Sequence, residues 1–227
     1  MHNGKGMKNL TDSFAMIGNM KARSSLHLAR KIWHMGVGLV GLYMYSTSIW
    51  SSREWGQGLL LIAVLAFALE FFRLRWPLVN KLFCYFASHL MRRSELNSPT
   101  GLGYYALGVG ASFLFFDPQV ALLGCCYLFF ADPIASWVGV MAGKTKLWSG
   151  RTLEGTLAFF NVALILNIIF LAAGAFYGVK HLTLFCFFCA TLGATSELLS
   201  VKKWLDDNLT IPLLSGLAIT LVEKLTS

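Results

Sequence analysis

The chain has 227 residues, of which 56% are hydrophobic and only 13% charged, and its net charge is +8. An ordinary soluble domain is about 25% charged, so this composition excludes a water-soluble globular enzyme and points to one bundle of membrane helices. The positive balance fits anionic lipid headgroups; with no aromatic stacking platform interleaved among the cations, nucleic acid is set aside as a partner.

Residues 1–29 are polar and basic and lack an apolar stretch ending in a small-residue cleavage site. They read as a basic cytoplasmic tail kept on the mature chain, ahead of a single domain over 30–227. Seven apolar runs follow, near 32–50, 57–72, 101–116, 118–141, 154–175, 181–200 and 209–226. Each approaches the roughly 20 residues that a hydrocarbon core of about 30 Å requires of a helix. Residues 77–91 are apolar but shorter, and predict an interfacial or re-entrant helix. The expected fold class is therefore all-α: a polytopic membrane bundle of seven transmembrane helices plus that extra helix, with the N-terminus in the cytoplasm. In this topology all of the 19 Lys and Arg residues except Arg53, Lys180 and Lys224 face the cytoplasm, as the positive-inside rule requires. Cys84, Cys125, Cys126, Cys186 and Cys189 all fall inside apolar runs and read as small hydrophobes.

A carboxylate near hydrocarbon is expensive and usually has a task. Glu70, Glu154, Glu197, Asp206 and Asp207 fall at the cytoplasmic ends of their predicted spans, and Asp132 within the inner half of its own. Asp132 is followed by Pro133, which frees backbone carbonyls one turn back and opens polar backbone to a cavity. Gly139 and Gly143 have the small-xxx-small spacing of close helix packing. Gly143-Lys-Thr-Lys and Ser149-Gly-Arg-Thr then form a loop of cations and hydroxyls that ends at a helix start, where amide groups and the dipole favour an anion. The GKT triplet is not a phosphate loop of the strand-to-helix kind, because a membrane span precedes it. Asp207-Asn208 is a candidate N-cap for the last span. Carboxylates for a divalent ion beside Lys, Arg and helix-start amides for phosphate oxygens make up the apparatus of phosphoryl-group chemistry.

An ordered set of motifs carries a family resemblance. It comprises Arg30-Lys31-Ile-Trp-His34, Glu70-Phe-Phe-Arg73, Asp132-Pro-Ile-Ala-Ser-Trp-Val-Gly139 with Gly143-Lys144, Arg151-Thr-Leu-Glu-Gly155, Glu197 and Asp207-Asn-Leu-Thr-Ile-Pro212. The chain resembles the membrane lipid-alcohol kinases that include dolichol, phytol and farnesol kinases and the CTP-dependent diacylglycerol kinase of yeast. The resemblance implies transfer of the γ-phosphoryl of CTP, or of ATP, to the hydroxyl of a long-chain isoprenoid alcohol or of diacylglycerol at the cytoplasmic face. Mg²⁺ is the expected cofactor, held by Asp132 and Asp207, with Glu154 as a further ligand or as the group positioning the acceptor hydroxyl. Lys144, Lys146 and Arg151 are expected to bind the triphosphate, with Thr152, Gly155 and Asn208 completing the nucleotide site. His34 is a candidate base; Glu70 with Arg73 reads as a structural pair lining the cavity. The alternatives are a phosphatidate cytidylyltransferase-like enzyme making a CDP-lipid and a non-enzymatic lipid transporter. Beyond membrane lipid, a second copy of the chain is a candidate partner, as a homodimer.

Overall fold

A computed structural model describes residues 23–87, 91, 93–147, 150–200 and 206–227, the side chains of 23–30, 87, 93 and 94 excepted. The described part is helical: α1 (Arg23–Thr47), α2 (Ser52–Arg75), α3 (Pro77–Ala87), a short 3-10 turn (Arg93–Leu96), α4 (Gly101–Phe115), α5 (Pro118–Cys126), a π-type turn (Tyr127–Ala131), α6 (Asp132–Ala142), α7 (Leu153–Ala172), α8 (Leu182–Leu199) and α9 (Asp207–Thr226). Five segments are long and apolar enough to cross a membrane: α2, the continuous α5–α6 run from Pro118 to Ala142, α7, α8 and α9. α4 is apolar but has 15 residues. At 1.5 Å per residue it reaches only about 22 Å, short of a full crossing. α3, within the run predicted to be interfacial or re-entrant, is likewise too short to span, at 11 residues.

The expected tail over 1–29 lies mostly outside the described residues, as do Lys202 and Lys203. Where the chain is described, α1 already begins at Arg23, so residues 23–29 belong to a helix rather than to an irregular tail.

Local chemistry sets the helix starts. Ser51 and Glu54 form a capping box: the Glu54 N–H donates to Ser51 Oγ at 3.3 Å and the Ser51 N–H to Glu54 Oε2 at 2.7 Å. Pro118 stands in the first turn of α5, where its missing N–H costs nothing. Asp206, not the Asp207-Asn208 pair, caps α9, accepting from the Asn208 N–H at 3.0 Å.

The α5–α6 run is the centre of the bundle: 72% of its apolar window is buried, against 17% for α2 and 22% for α7. Around it α2 packs on α4, α4 on α9, α9 on α8, α8 on α7 and α7 on α6, while α1 leans on the π turn and α6. Polar side chains tie these helices across apolar layers, as in other membrane bundles. Tyr127 donates to Asn167 Oδ1 at 2.5 Å, Asn167 donates to the Cys186 carbonyl at 3.0 Å, and Ser196 and Ser215 share a hydrogen bond of 3.1 Å. The five cysteines are buried free thiols.

Candidate active site

The residue after Asp132 decides the local backbone. Pro133 has no N–H for the carbonyl one turn back, and its ring would crowd that carbonyl. The helix widens over Tyr127–Ala131, and the Asp132 N–H reaches back five residues to the Tyr127 carbonyl. Widened turns of this kind recur at functional positions. Here the turn delivers Asp132, 1% exposed, to the side of the run where the following loop returns.

The arms of that loop, 143–147 and 150–152, pair as the two sides of a small hairpin. The Leu147 N–H donates to the Arg151 carbonyl at 2.8 Å and the Leu153 N–H to the Thr145 carbonyl at 2.9 Å, with Gly150 supplying a φ of +78°. Its base is pinched: a Cβ on Gly143 would stand 2.2 Å from the Gly139 carbonyl and 2.6 Å from Thr152 Cγ2, so α6 and α7 meet through glycine. The small-xxx-small spacing is thus helix packing. Thr152 caps α7, accepting from the Gly155 N–H at 3.2 Å, and Gly155 lies against the Ala135 carbonyl, where a Cβ would stand 2.8 Å away. Glu154 accepts from the Thr145 N–H at 3.2 Å, so its carboxylate is turned to the hairpin. Lys144 and Lys146 are exposed on the same hairpin.

The hairpin folds Arg151 back onto three helices. Its Nη1 lies 2.9 Å from Glu197 Oε1 and 3.8 Å from Asp132 Oδ1, its Nη2 lies 3.6 Å from Asp207 Oδ2, and Nη2 also donates to Ser200 Oγ at 3.3 Å. Lys31 of α1 donates to the other oxygen of Asp132 at 2.5 Å. Burial works against the charged guanidinium, but Asp132, Glu197 and Asp207 outweigh it and raise the Arg151 pKa above its ordinary value. Three carboxylates face two cations here. Asp132 Oδ1 and Glu197 Oε2 are buried with no hydrogen-bond partner.

A cavity of about 440 Å³ lies beside this cluster, lined mainly by apolar groups among them Trp33, Val37, Leu102 and Tyr105, and touched by His34 and Asn208. His34 stands edge-on to the Tyr105 ring, with centroids 4.6 Å apart. Asn208 is buried and its amide donates to the Gly101 carbonyl at 3.3 Å.

Three relatives in curated collections share most of the chain. CTP-dependent diacylglycerol kinase 1 of Saccharomyces cerevisiae is 30% identical over 216 residues, covering 87% of this chain and 73% of that protein. The chain belongs to the CTP-dependent diacylglycerol kinase family. The Eremothecium gossypii kinase of the same name is 31% identical over 209 residues, covering 83% of this chain and 64% of that one, and the Schizosaccharomyces pombe kinase is 29% identical over 170 residues, covering 69% and 76%. No family model matches the chain, and no solved structure does.

For a member of the diacylglycerol kinase family, the residues fall into four groups. Asp132, Arg151 and Asp207, singled out from the sequence, meet at one point. Glu154, Thr152 and Gly155 shape the hairpin and the α6–α7 contact, while His34 and Asn208 belong to the cavity wall. Glu70 and Arg73 form a separate buried pair: Arg73 donates from Nε to Glu70 Oε2 at 2.9 Å and from Nη2 to the Ser98 carbonyl at 2.8 Å, and Thr100 donates to Glu70 Oε1 at 2.6 Å. That pair pins the segment leading into α4, whose Glu95 and Thr100 touch the cavity, as a structural role implies. The sequence singled out Asp132, Arg151 and Asp207 but joined neither Glu197 nor Lys31 to them. Glu197 was visible as an acid ending an apolar run, and Lys31 as a cation opening one; neither signal named Arg151 or Asp132 as the partner.

Mg²⁺ is the ion that the resemblance implies for this cluster. Among the described residues no three His, Cys, Asp or Glu side chains form a ready metal cage. Mg²⁺ asks for less, taking one or two carboxylates with water and phosphate oxygens. The excess of carboxylates over cations and the two unpartnered buried oxygens fit such an ion.

Proposed function

We propose that the chain is a CTP-dependent lipid kinase that transfers the γ-phosphoryl group to the hydroxyl of a membrane lipid, with diacylglycerol as acceptor and isoprenoid alcohols of the polyprenol, dolichol or phytol type as the competing class. The observation that carries this reading is the convergence of Asp132, Glu197 and Asp207 on Arg151, from a loop and three helices far apart in the chain. The named relatives support the nucleotide and the acceptor.

In this reading Asp132 and Asp207 are the residues that would hold Mg²⁺, in the same cluster as the Glu197 carboxylate. When bound, the ion neutralises phosphate charge as it is redistributed during transfer. Arg151 gives its fork to phosphate oxygens, which suits a planar donor better than a single ammonium does. Lys144 and Lys146 lie on the exposed hairpin, placed to attract a polyanion. The acceptor oxygen forms the new bond to the γ-phosphorus as the bond to CDP breaks, and His34 takes the hydroxyl proton. Positioning and charge complementarity carry such transfers, since the transition state is loose. The positive-inside distribution supports an integral membrane protein with this site on its cytoplasmic face.

The test is transfer from labelled CTP by the purified protein in lipid nanodiscs. Label from the γ-position is expected in the lipid, with CDP released. Label from the α-position in the lipid indicates a CDP-lipid synthase instead, and no label from any nucleotide in any lipid removes the kinase reading.

A further inference from the structure

We propose that the cavity between α1, the start of α4 and Asn208 receives one hydrocarbon chain of the acceptor lipid, which enters sideways from the bilayer and leaves its hydroxyl at the Asp207 end. The inference rests on the lipid-kinase reading and adds to it a place for the acceptor.

Three observations point there. The first is wall chemistry: Val37, Phe83, Met91 and Leu102 offer hydrocarbon, and apolar walls of this kind do not hold water well. The volume of about 440 Å³ lies within the range of roughly 300–1,000 Å³ of ligand sites. The second is access. Trp33, Val37 and Leu102 are 57%, 38% and 57% exposed, and they form a rim on an outer surface already rich in exposed apolar side chains. A lipid tail therefore passes from bilayer to cavity without leaving apolar surroundings.

The third is continuity with the charged cluster. α1 gives Lys31 to Asp132 and, three residues on, His34 to the cavity, so one helix face serves both. α9 gives Asp207 to Arg151 and the next residue, Asn208, to the cavity. The Tyr105 ring meets His34 edge to face and stacks on Phe129, with a centroid distance of 5.7 Å, inside the widened turn that ends at Asp132. A chain held by these walls has its polar end on the side where Asn208 follows Asp207 in α9. A cytosine base is the other apolar-faced candidate, but it needs polar groups along its edge, and the wall is mostly hydrocarbon.

The experiment uses the full chain in nanodiscs and a diacylglycerol with a diazirine near one acyl terminus. After irradiation, adducts are expected on the segments holding Trp33 to Val37 and Gly101 to Tyr105. Val37→Trp narrows the rim; it should cut those adducts and raise the acceptor KM about tenfold, the scale on which pockets discriminate hydrocarbon bulk, with the KM for CTP unchanged. Leu65→Trp, on the exposed face of α2 and outside the cavity, should label and turn over as the parent does. If Val37→Trp misfolds by its melting curve, Leu102→Phe takes its place. Adducts spread evenly over the outer surface and untouched by Val37→Trp overturn the proposal, and a rise in the KM for CTP alone places the nucleotide base in the cavity and also overturns it. Photolabelling needs no turnover, so a protein that labels at the cavity yet transfers no phosphoryl sinks the kinase reading while the lipid site stands.

Discussion

The Arg151 guanidinium lies 2.9 Å from the Glu197 carboxylate, and through the same side chain Glu197 is tied to Asp132 and Asp207. One loop cation thus holds together acids from three helices. Removing it leaves several buried negative charges without compensation, which costs about 3–5 kcal/mol for a single broken buried pair. Arg151→Ala is expected to lower the melting temperature sharply and abolish transfer. Arg151→Lys keeps the charge but loses the fork, and should retain most of the stability while kcat/KM falls about a hundredfold. Thermal melts beside γ-label turnover separate the two outcomes.

Glu197 and Glu154 offer a direct comparison. Glu197→Gln removes a carboxylate from the cluster, and transfer should fall about a hundredfold or more, on the scale of a lost preorganised electrostatic group. Glu154→Gln touches only an exposed hairpin hydrogen bond, so its turnover should fall by less than about tenfold. Equal losses in the two variants would move Glu154 into the reacting centre.

Arg73 is fully buried and satisfies Glu70, Asn80 and the carbonyls of Glu95 and Ser98. Arg73→Ala should destabilise the chain by about 3–5 kcal/mol, since it strands Glu70 in the interior. The predicted signature is loss of fold, seen as a collapsed melting transition, rather than a folded protein with an altered KM.

Tyr105 carries a buried hydroxyl with no hydrogen-bond partner. An unsatisfied buried donor costs about 1–3 kcal/mol, so Tyr105→Phe should leave the melting temperature unchanged or raise it. A marked loss of stability would mean that the hydroxyl has a partner after all.

Much of the fold was written in the apolar runs. The positions of α2, the α5–α6 run, α7, α8 and α9 follow from stretches such as 57–72 and 209–226, because a bilayer asks for little beyond length and hydropathy. Helix starts were less legible, since Asp206 and Asp207 are equally good caps by type and only tertiary contacts choose between them. The site was partly readable: Asp132, Arg151 and Asp207 stood out as charges that hydrocarbon would not tolerate idly. Glu154 and Glu197 looked alike from the sequence, each being an acid at a span end. What separates them is azimuth, because Glu154 turns toward the 144–146 hairpin and Glu197 toward the bundle axis, and a helix rotation is not encoded in either residue's neighbours alone. The cavity was invisible, because its walls come from α1, α4 and α9 and none of them carries a local mark of hollowness.

The widened turn at Tyr127–Ala131 lodges one residue more than a regular helix needs to close it. Deleting one amino acid there, whatever its identity, closes a regular turn and leaves α6 near its present bearing, because the wider turn sweeps about the angle that a regular turn covers with one residue fewer. The burden of the deletion falls instead on Pro133, whose ring a regular turn sets against the carbonyl four residues back. A one-codon deletion upstream should therefore weaken the run itself sooner than it misdirects the Asp132 carboxylate.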